Sequence, residues 1–184
     1  MASFNANRGW ECAERRLATV TDPRRRAVMQ TLRDHLKAEA TEDFDLLLST
    51  LGPNPEYHFW VEGSGFGEGP KGIDAVRAHY EGLYEERRHL VDWDIDRFVI
   101  DDDTIVTEGW FDQLFPGRVL ISRGVDIDDP DAVYLLRVRL VILWPFDENA
   151  KLVGEDSYLN GHMFKPENIR KLREDEVPAQ LASA

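Results

Sequence analysis

The sequence predicts an α+β fold, with helices in the N-terminal half and an antiparallel sheet in the C-terminal half. Two observations carry this. Before residue 85 the apolar positions mostly keep the 3.6-residue period of an amphipathic helix, and after residue 90 the period changes to two. The strand-like runs after residue 90 are also joined by short turns, which suit antiparallel neighbours and not parallel ones.

Each element has its own signal. Asp22 before Pro23 supplies an N-cap and a preorganised first helical residue, and Val28, Leu32, His35, Leu36 and Glu39 then share a helical face. Thr41 can cap a second helix through Phe44, Leu47, Leu48 and Leu51, which Gly52 and Pro53 end. A strand over about 56–62 leads through a glycine-rich loop into a third helix with Ile73, Val76, Tyr80, Leu83 and Tyr84 in helical register. Val91, Trp93 and Ile95 then alternate with Asp92, Asp94 and Asp96, and the tight turn at Asp101, Asp102 and Asp103 returns the chain as TIVTEGWFDQLF. Pro116 and Gly117 break that pairing, and an aspartate-rich excursion runs to about 131. AVYLLRVRLVILWPF is the longest strand, DENA turns it back as KLVGEDSYLNG, and Pro166 opens a short last helix, ENIRKLRE. The expected organisation is an arm over 1–21, one domain over 22–173 and a tail over 174–184.

The 35 acidic against 22 basic residues give a net charge of -13, which disfavours nucleic acid and anionic membranes as partners, since both reward a basic surface. No apolar run is long enough to span a bilayer, and the N-terminus lacks the apolar core of a signal peptide. The single cysteine, Cys12, cannot form an intrachain disulfide, so the expected location is the cytoplasm.

Gly67, Gly69 and Gly72 in GEGPKG have the spacing G-x-G-x-x-G of a nucleotide-phosphate loop. The surroundings argue against that chemistry. Parallel strands with helical crossovers do not follow, Pro70 removes a backbone donor, and Glu62 and Glu68 would repel a phosphate. The expectation is that these glycines reverse the chain between a strand and a helix.

The order helix, helix, strand, helix and four antiparallel strands resembles the nuclear transport factor 2-like superfamily, which includes SnoaL-like polyketide cyclases, ketosteroid isomerases and limonene epoxide hydrolases. GPKGIDAVRAHY resembles the family's entry to its third helix, DDDTIVTEG its third-strand hairpin, and FDENAKLVGEDSYLN its closing hairpin, so the likeness covers about residues 24–165. It implies a cone-shaped, curved antiparallel sheet packed against three N-terminal-half helices, the cystatin-like α+β barrel. It also implies a cavity on the concave face and dimerisation through the convex face. The superfamily hosts enzymes, binders and oligomerisation modules, so function rests on the residues of the cavity.

Strand parity nominates that lining. On the longest strand Tyr134, Leu136, Val138, Leu140, Ile142 and Trp144 form an apolar face expected to point inward, which puts Arg137 and Arg139 on the convex side. On the first strand His58, Trp60 and Glu62 share a face, and the resemblance brings Glu62 near the isomerases' general base. It brings His35 near their enolate-stabilising tyrosine and places Ile142, which cannot donate, at their second donor. Ser157 falls near an acid of the epoxide hydrolases, and their Arg-x-Asp falls at Gly109 and Phe111, or at Asp112 after a bulge. Glu155 is expected to point inward. Glu108 and Asp112 face the pocket only if the third strand bulges or shifts register and are otherwise convex-face acids, and His79 and His89 are expected to be surface residues.

The resulting expectation is acid/base chemistry, without cofactor or metal, on a small and mostly apolar organic molecule: isomerisation, cyclisation, dehydration or epoxide opening. Glu62 is the expected base, Glu155 a second acid, His35 or His58 a donor, and Trp60, Tyr80, Tyr134, Leu136, Leu140, Ile142, Trp144 and Ser157 the lining. The alternative is a noncatalytic binder or a dimeric interaction module on the same scaffold.

Overall fold

The computed structural model describes residues 4–63 and 65–182 of the chain. Residues 1–3 of the expected arm, Ser64 of the glycine loop and residues 183–184 of the expected tail lie outside the described residues.

Segment 8–17, expected within an arm, is a helix, α1 (Arg8–Leu17), followed by α2 (Pro23–Thr41), α3 (Phe44–Thr50) and β1 (Leu51–Glu62). Gly9, Ala13 and Leu17 form the buried stripe of α1, four residues apart, and small residues there let the helix lie close to its neighbours. Asp22 caps α2 as expected, accepting a hydrogen bond from the Arg25 amide at 2.9 Å. Thr41 ends α2 and does not cap α3: Asp43 takes that role, accepting from the Leu46 amide at 3.0 Å.

After α4 (Ile73–Glu85) come the hairpin β2 (Val91–Ile100) and β3 (Thr104–Pro116), the short helix α5 (Gly117–Ser122), and the hairpin β4 (Val133–Pro145) and β5 (Leu152–His162). The segment after Pro166 is not a helix. A single 3-10 turn leads into β6 (Ile169–Lys171), which pairs antiparallel with Tyr134, Leu135 and Leu136 of β4. Its cause is a vacant strand edge: β5 pairs β4 only at Val141–Leu143, so the first half of β4 would otherwise leave backbone groups without partners. The sheet runs β1-β5-β4-β3-β2, antiparallel except that β1 lies parallel to β5 at the edge.

The glycine loop folds back along β1, with the Tyr57 amide donating to Pro70 O at 3.0 Å and the Gly67 amide to Phe59 O at 2.8 Å. Gly69 is required for that approach, since a Cβ there would sit 2.2 Å from Tyr57 O. The loop is therefore a close-packed reversal along the sheet edge.

Two apolar clusters divide the concave face. Val28, Leu32 and Leu36 of α2 and Val76 and Tyr80 of α4 pack onto Trp93, Ile105, Leu140, Ile142 and Trp144. The excursion after β3 folds over the other end, where Val119 and Leu120 pack with Phe115, Tyr134, Leu136 and Val138. The even face of β4 points inward as expected.

Candidate active site

Between α2, α4 and the sheet lies a cavity of about 180 Å³. Its walls include Phe59 and Val61 of β1, Tyr80 of α4, Trp93 of β2, Phe111 of β3, and Leu140, Ile142 and Trp144 of β4. Ala6, Gly9 and Trp10 contribute as well, so the N-terminal segment helps to enclose it.

Two carboxyl groups face this mostly apolar space. Glu155 enters from β5, and burial raises its pKa to about 7 although Ser157 Oγ donates to Oε1 at 3.1 Å. Glu39 enters from α2, where burial and then the nearby Glu155 charge raise its pKa to about 8. Burial is the larger cause for both groups, and ionisation of Glu155 further raises Glu39, so the pair resists losing both protons near neutral pH. One carboxylate and one carboxylic acid thus share the cavity.

Behind Glu39 lies a buried polar chain. The Tyr80 hydroxyl is 3.0 Å from Glu39 Oε1, 3.1 Å from His35 Nε2 and 3.3 Å from the Tyr57 hydroxyl. Thr50 Oγ1 donates to Leu47 O at 2.5 Å, so its oxygen accepts from His35 Nδ1 at 2.8 Å, which assigns the proton to Nδ1 and the lone pair to Nε2. Burial lowers His35 to about 4 and keeps the ring neutral. The single Tyr80 proton can then serve His35 when Glu39 is protonated, or Glu39 when it is ionised. Burial also raises Tyr57 and Tyr80 well above the ordinary tyrosine value.

Of the residues nominated from sequence, Glu155, Ser157, Tyr80, Leu140, Ile142 and Trp144 meet in the cavity. Glu62, His58 and Trp60 do not. The inward face of β1 carries Tyr57, Phe59 and Val61, so Glu62 is exposed, and His58 Nδ1 lies 2.7 Å from Asp156 on the outer side. Trp60 stacks there on His58 and Tyr158. His35 is fully buried behind Tyr80 and outside the lining. Tyr134 and Leu136 lie under the excursion, where the Tyr134 hydroxyl donates to Asp128 at 2.8 Å.

His79, expected at the surface, lines the cavity, and burial lowers it to about 4. His89 lines it too, with Nε2 3.1 Å from Glu42. Glu108 and Asp112 take the convex side, paired with Arg139 and Arg137. Glu39 was the acid that sequence reasoning passed over, although it lies four residues after His35 on the apolar face of α2. A lone acid on an otherwise apolar helical stripe was the available signal.

Two polar atoms at the cavity are buried without a protein partner, Trp93 Nε1 and His89 Nδ1. Such atoms are rare, and a ligand group or water of matching polarity would satisfy them. Among the described residues no group of three or more His, Cys, Asp and Glu is arranged to hold a metal ion.

No family model and no curated protein matches the chain. Solved structures do. An NTF2-like protein of unknown function from Burkholderia pseudomallei K96243 aligns at TM-score 0.54 and 19% identity, over 73% of this chain and 91% of that one. A Shewanella denitrificans OS-217 protein, assigned by similarity as a SnoaL-like polyketide cyclase, aligns at TM-score 0.55 and 16% identity, over 72% and 90%. A Mycobacterium tuberculosis protein in complex with estradiol-17β-hemisuccinate aligns at TM-score 0.57 and 12% identity, over 78% and 98%. At these identities the likeness is one of fold: this chain has the nuclear transport factor 2-like fold. No helix among the described residues is long and apolar enough to cross a membrane.

Proposed function

We propose that the cavity is the active site of a small-molecule enzyme that moves protons on an apolar organic substrate without a cofactor. The observation that carries this reading is the pair Glu155 and Glu39, held at about 7 and about 8 inside an apolar cavity. A carboxylate whose pKa lies near 7 is a competent base at neutral pH, and a neighbour that keeps its proton is a competent acid. Glu155 takes a proton from the substrate and Glu39 supplies one to the oxygen that gains charge. Tyr80, backed by His35, orients Glu39. Isomerisation, aldol-type cyclisation and dehydration use this division of labour, and in epoxide opening the base takes its proton from the attacking water while the acid protonates the ring oxygen. The M. tuberculosis neighbour is in complex with estradiol-17β-hemisuccinate, which supports an apolar organic ligand for a cavity of this fold.

The second reading is a binder that holds such a ligand unchanged. One series of experiments separates the two. The protein is purified from lysate, the small molecule it releases on denaturation is identified, and that compound is incubated with the protein in D₂O. Deuterium uptake or product formation that Glu155→Gln lowers at least about 100-fold supports the enzyme. Retention of the compound with neither change supports the binder.

Partners follow the same logic. We infer pairing of two copies through the convex face, supported by Trp110, 39% exposed between Arg137 and Arg139. Sedimentation at micromolar concentration tests it, and a monomer that persists there would refute it.

A further inference from the structure

The cavity rim carries a charge arrangement that the proton-transfer reading does not use. Arg88, in the turn between α4 and β2, and Arg123, at the end of α5, both line the cavity. Their side chains are only 17% and 32% exposed. Both contact the same oxygen, Glu86 Oε2: Arg88 through Nε, and Arg123 through Nη2 at 3.0 Å. One carboxylate thus gathers two guanidinium groups, so this cluster of three side chains carries one positive charge in excess, within a chain whose net charge is -13.

The surroundings fix this cluster in place. Gln113, itself part of the lining, donates from Nε2 to Arg88 O at 2.7 Å and anchors the turn. His89, beside Arg88 and 12% exposed, presents a buried Nδ1 that has no protein partner. Burial lowers the Arg88 pKa, the Glu86 hydrogen bond offsets part of that, and the Arg123 charge lowers it further. Two guanidiniums that share one acceptor keep further N–H donors for a second anion, in a geometry suited to two oxygens of one group.

We propose that the ligand of this cavity is an apolar acid, its ring or chain body held between α2 and the sheet and its anionic group held at the rim by Arg88 and Arg123. This rests on the proposal that the cavity is open to ligands, and it adds the substrate class. An anion at the rim also fixes the orientation of the body relative to Glu155 and Glu39, which proton transfer at one chosen atom requires.

The test uses two fluorescent probes with one ring body. 8-Anilinonaphthalene-1-sulfonate carries an anion, N-phenyl-1-naphthylamine does not, and both brighten in apolar surroundings. The sulfonate should bind about tenfold more tightly at low salt, as expected for one added charge-assisted contact. Arg123→Gln should erase the difference by weakening only the sulfonate, and Arg123→Lys should restore part of it. Equal affinities for the two probes, or a preference that survives both Arg123→Gln and Arg88→Gln, would overturn the anion site and leave the cavity standing. Brightening of neither probe would overturn the cavity reading and the anion site together.

Discussion

The two faces of the sheet carry the same residue types and give them opposite chemistry. On the convex face Glu108 accepts from Arg139 Nη2 at 2.9 Å and also pairs with Arg97, and the hydrogen bond from Arg139 holds it below the ordinary carboxyl value. On the concave face Glu155 and Glu39 have no arginine partner among the described residues, and burial raises both. Asp112 stands between these cases. It pairs with Arg137 at 3.1 Å, but burial raises it to about 6 and Asp92, its partner across the β2–β3 ladder, adds to the rise. Burial without a countercharge, and not the presence of an acid, makes a group that can exchange protons near pH 7.

That contrast can be broken experimentally. The largest expected effect is on turnover: Glu155→Gln should reduce it at least about 100-fold, while Glu108→Gln and Glu62→Gln leave it unchanged. Turnover lost equally in Glu62→Gln would return the chemistry to the outer face of β1.

The next effect is on stability against pH. Glu39 and Glu155 have pKa values raised from 4.5 to about 8 and about 7, so the unfolded chain releases these protons first. Their stabilising contribution is full below pH 4.5, falls as pH rises to about 8, and is level above that. His35 and His79, lowered from 6.5 to about 4, act in the opposite direction, with stability gained as pH rises between those values. Above pH 6.5 the carboxyl pair dominates. Stability to urea should therefore fall by on the order of 2–3 kcal/mol between pH 6.5 and 8.5. Glu39→Gln should remove much of that fall, and an unchanged slope in that variant would contradict the assignment.

A smaller effect sharpens the comparison from inside the cavity. Trp93→Phe deletes a donor that has no protein partner among the described residues, but the smaller ring also loosens packing against Phe111 and Trp144, so the ligand-free melting temperature should fall by a few degrees. The substitution should also weaken binding of a ligand with an oxygen acceptor there by about tenfold, as read by calorimetry. Smallest of all, Glu108→Gln should hardly move the melting temperature, because exposed ion pairs contribute little.

The architecture was legible because its signals are local. The Asp22–Pro23 cap, the period change after residue 90, and the turns at 101–103 and 147–150 each specify an element without distant information. Helix α1 was not, because Gly9 and Ala13 in its buried stripe look unremarkable until β2 is known to lie beside them. The site was half legible. On β4 apolar parity alone placed Leu140, Ile142 and Trp144 inward. On β1 the same criterion favours Tyr57, Phe59 and Val61, and counting from a distant relative's base favoured Glu62 instead. That counting runs back from α4 through the glycine loop, where a slip of one residue turns every β1 side chain to the other face, and the register with β5 is itself irregular between Trp60 and Glu62. Glu39 escaped because a single acid on a helix is usually solvated, and only the fold shows that this one faces Glu155.

Two carboxyl groups of the cavity should titrate far above the ordinary range, and carboxyl-labelled glutamate followed by ¹³C NMR from pH 3 to 10 reads both midpoints. Two resonances should show midpoints near 7 and 8, the lower lost in Glu155→Gln and the upper in Glu39→Gln, with the Glu39 midpoint falling once Glu155 is replaced by a neutral side chain. If every glutamate titrated near 4.5, the cavity would hold two ordinary carboxylates and the proposed division into base and acid would be wrong.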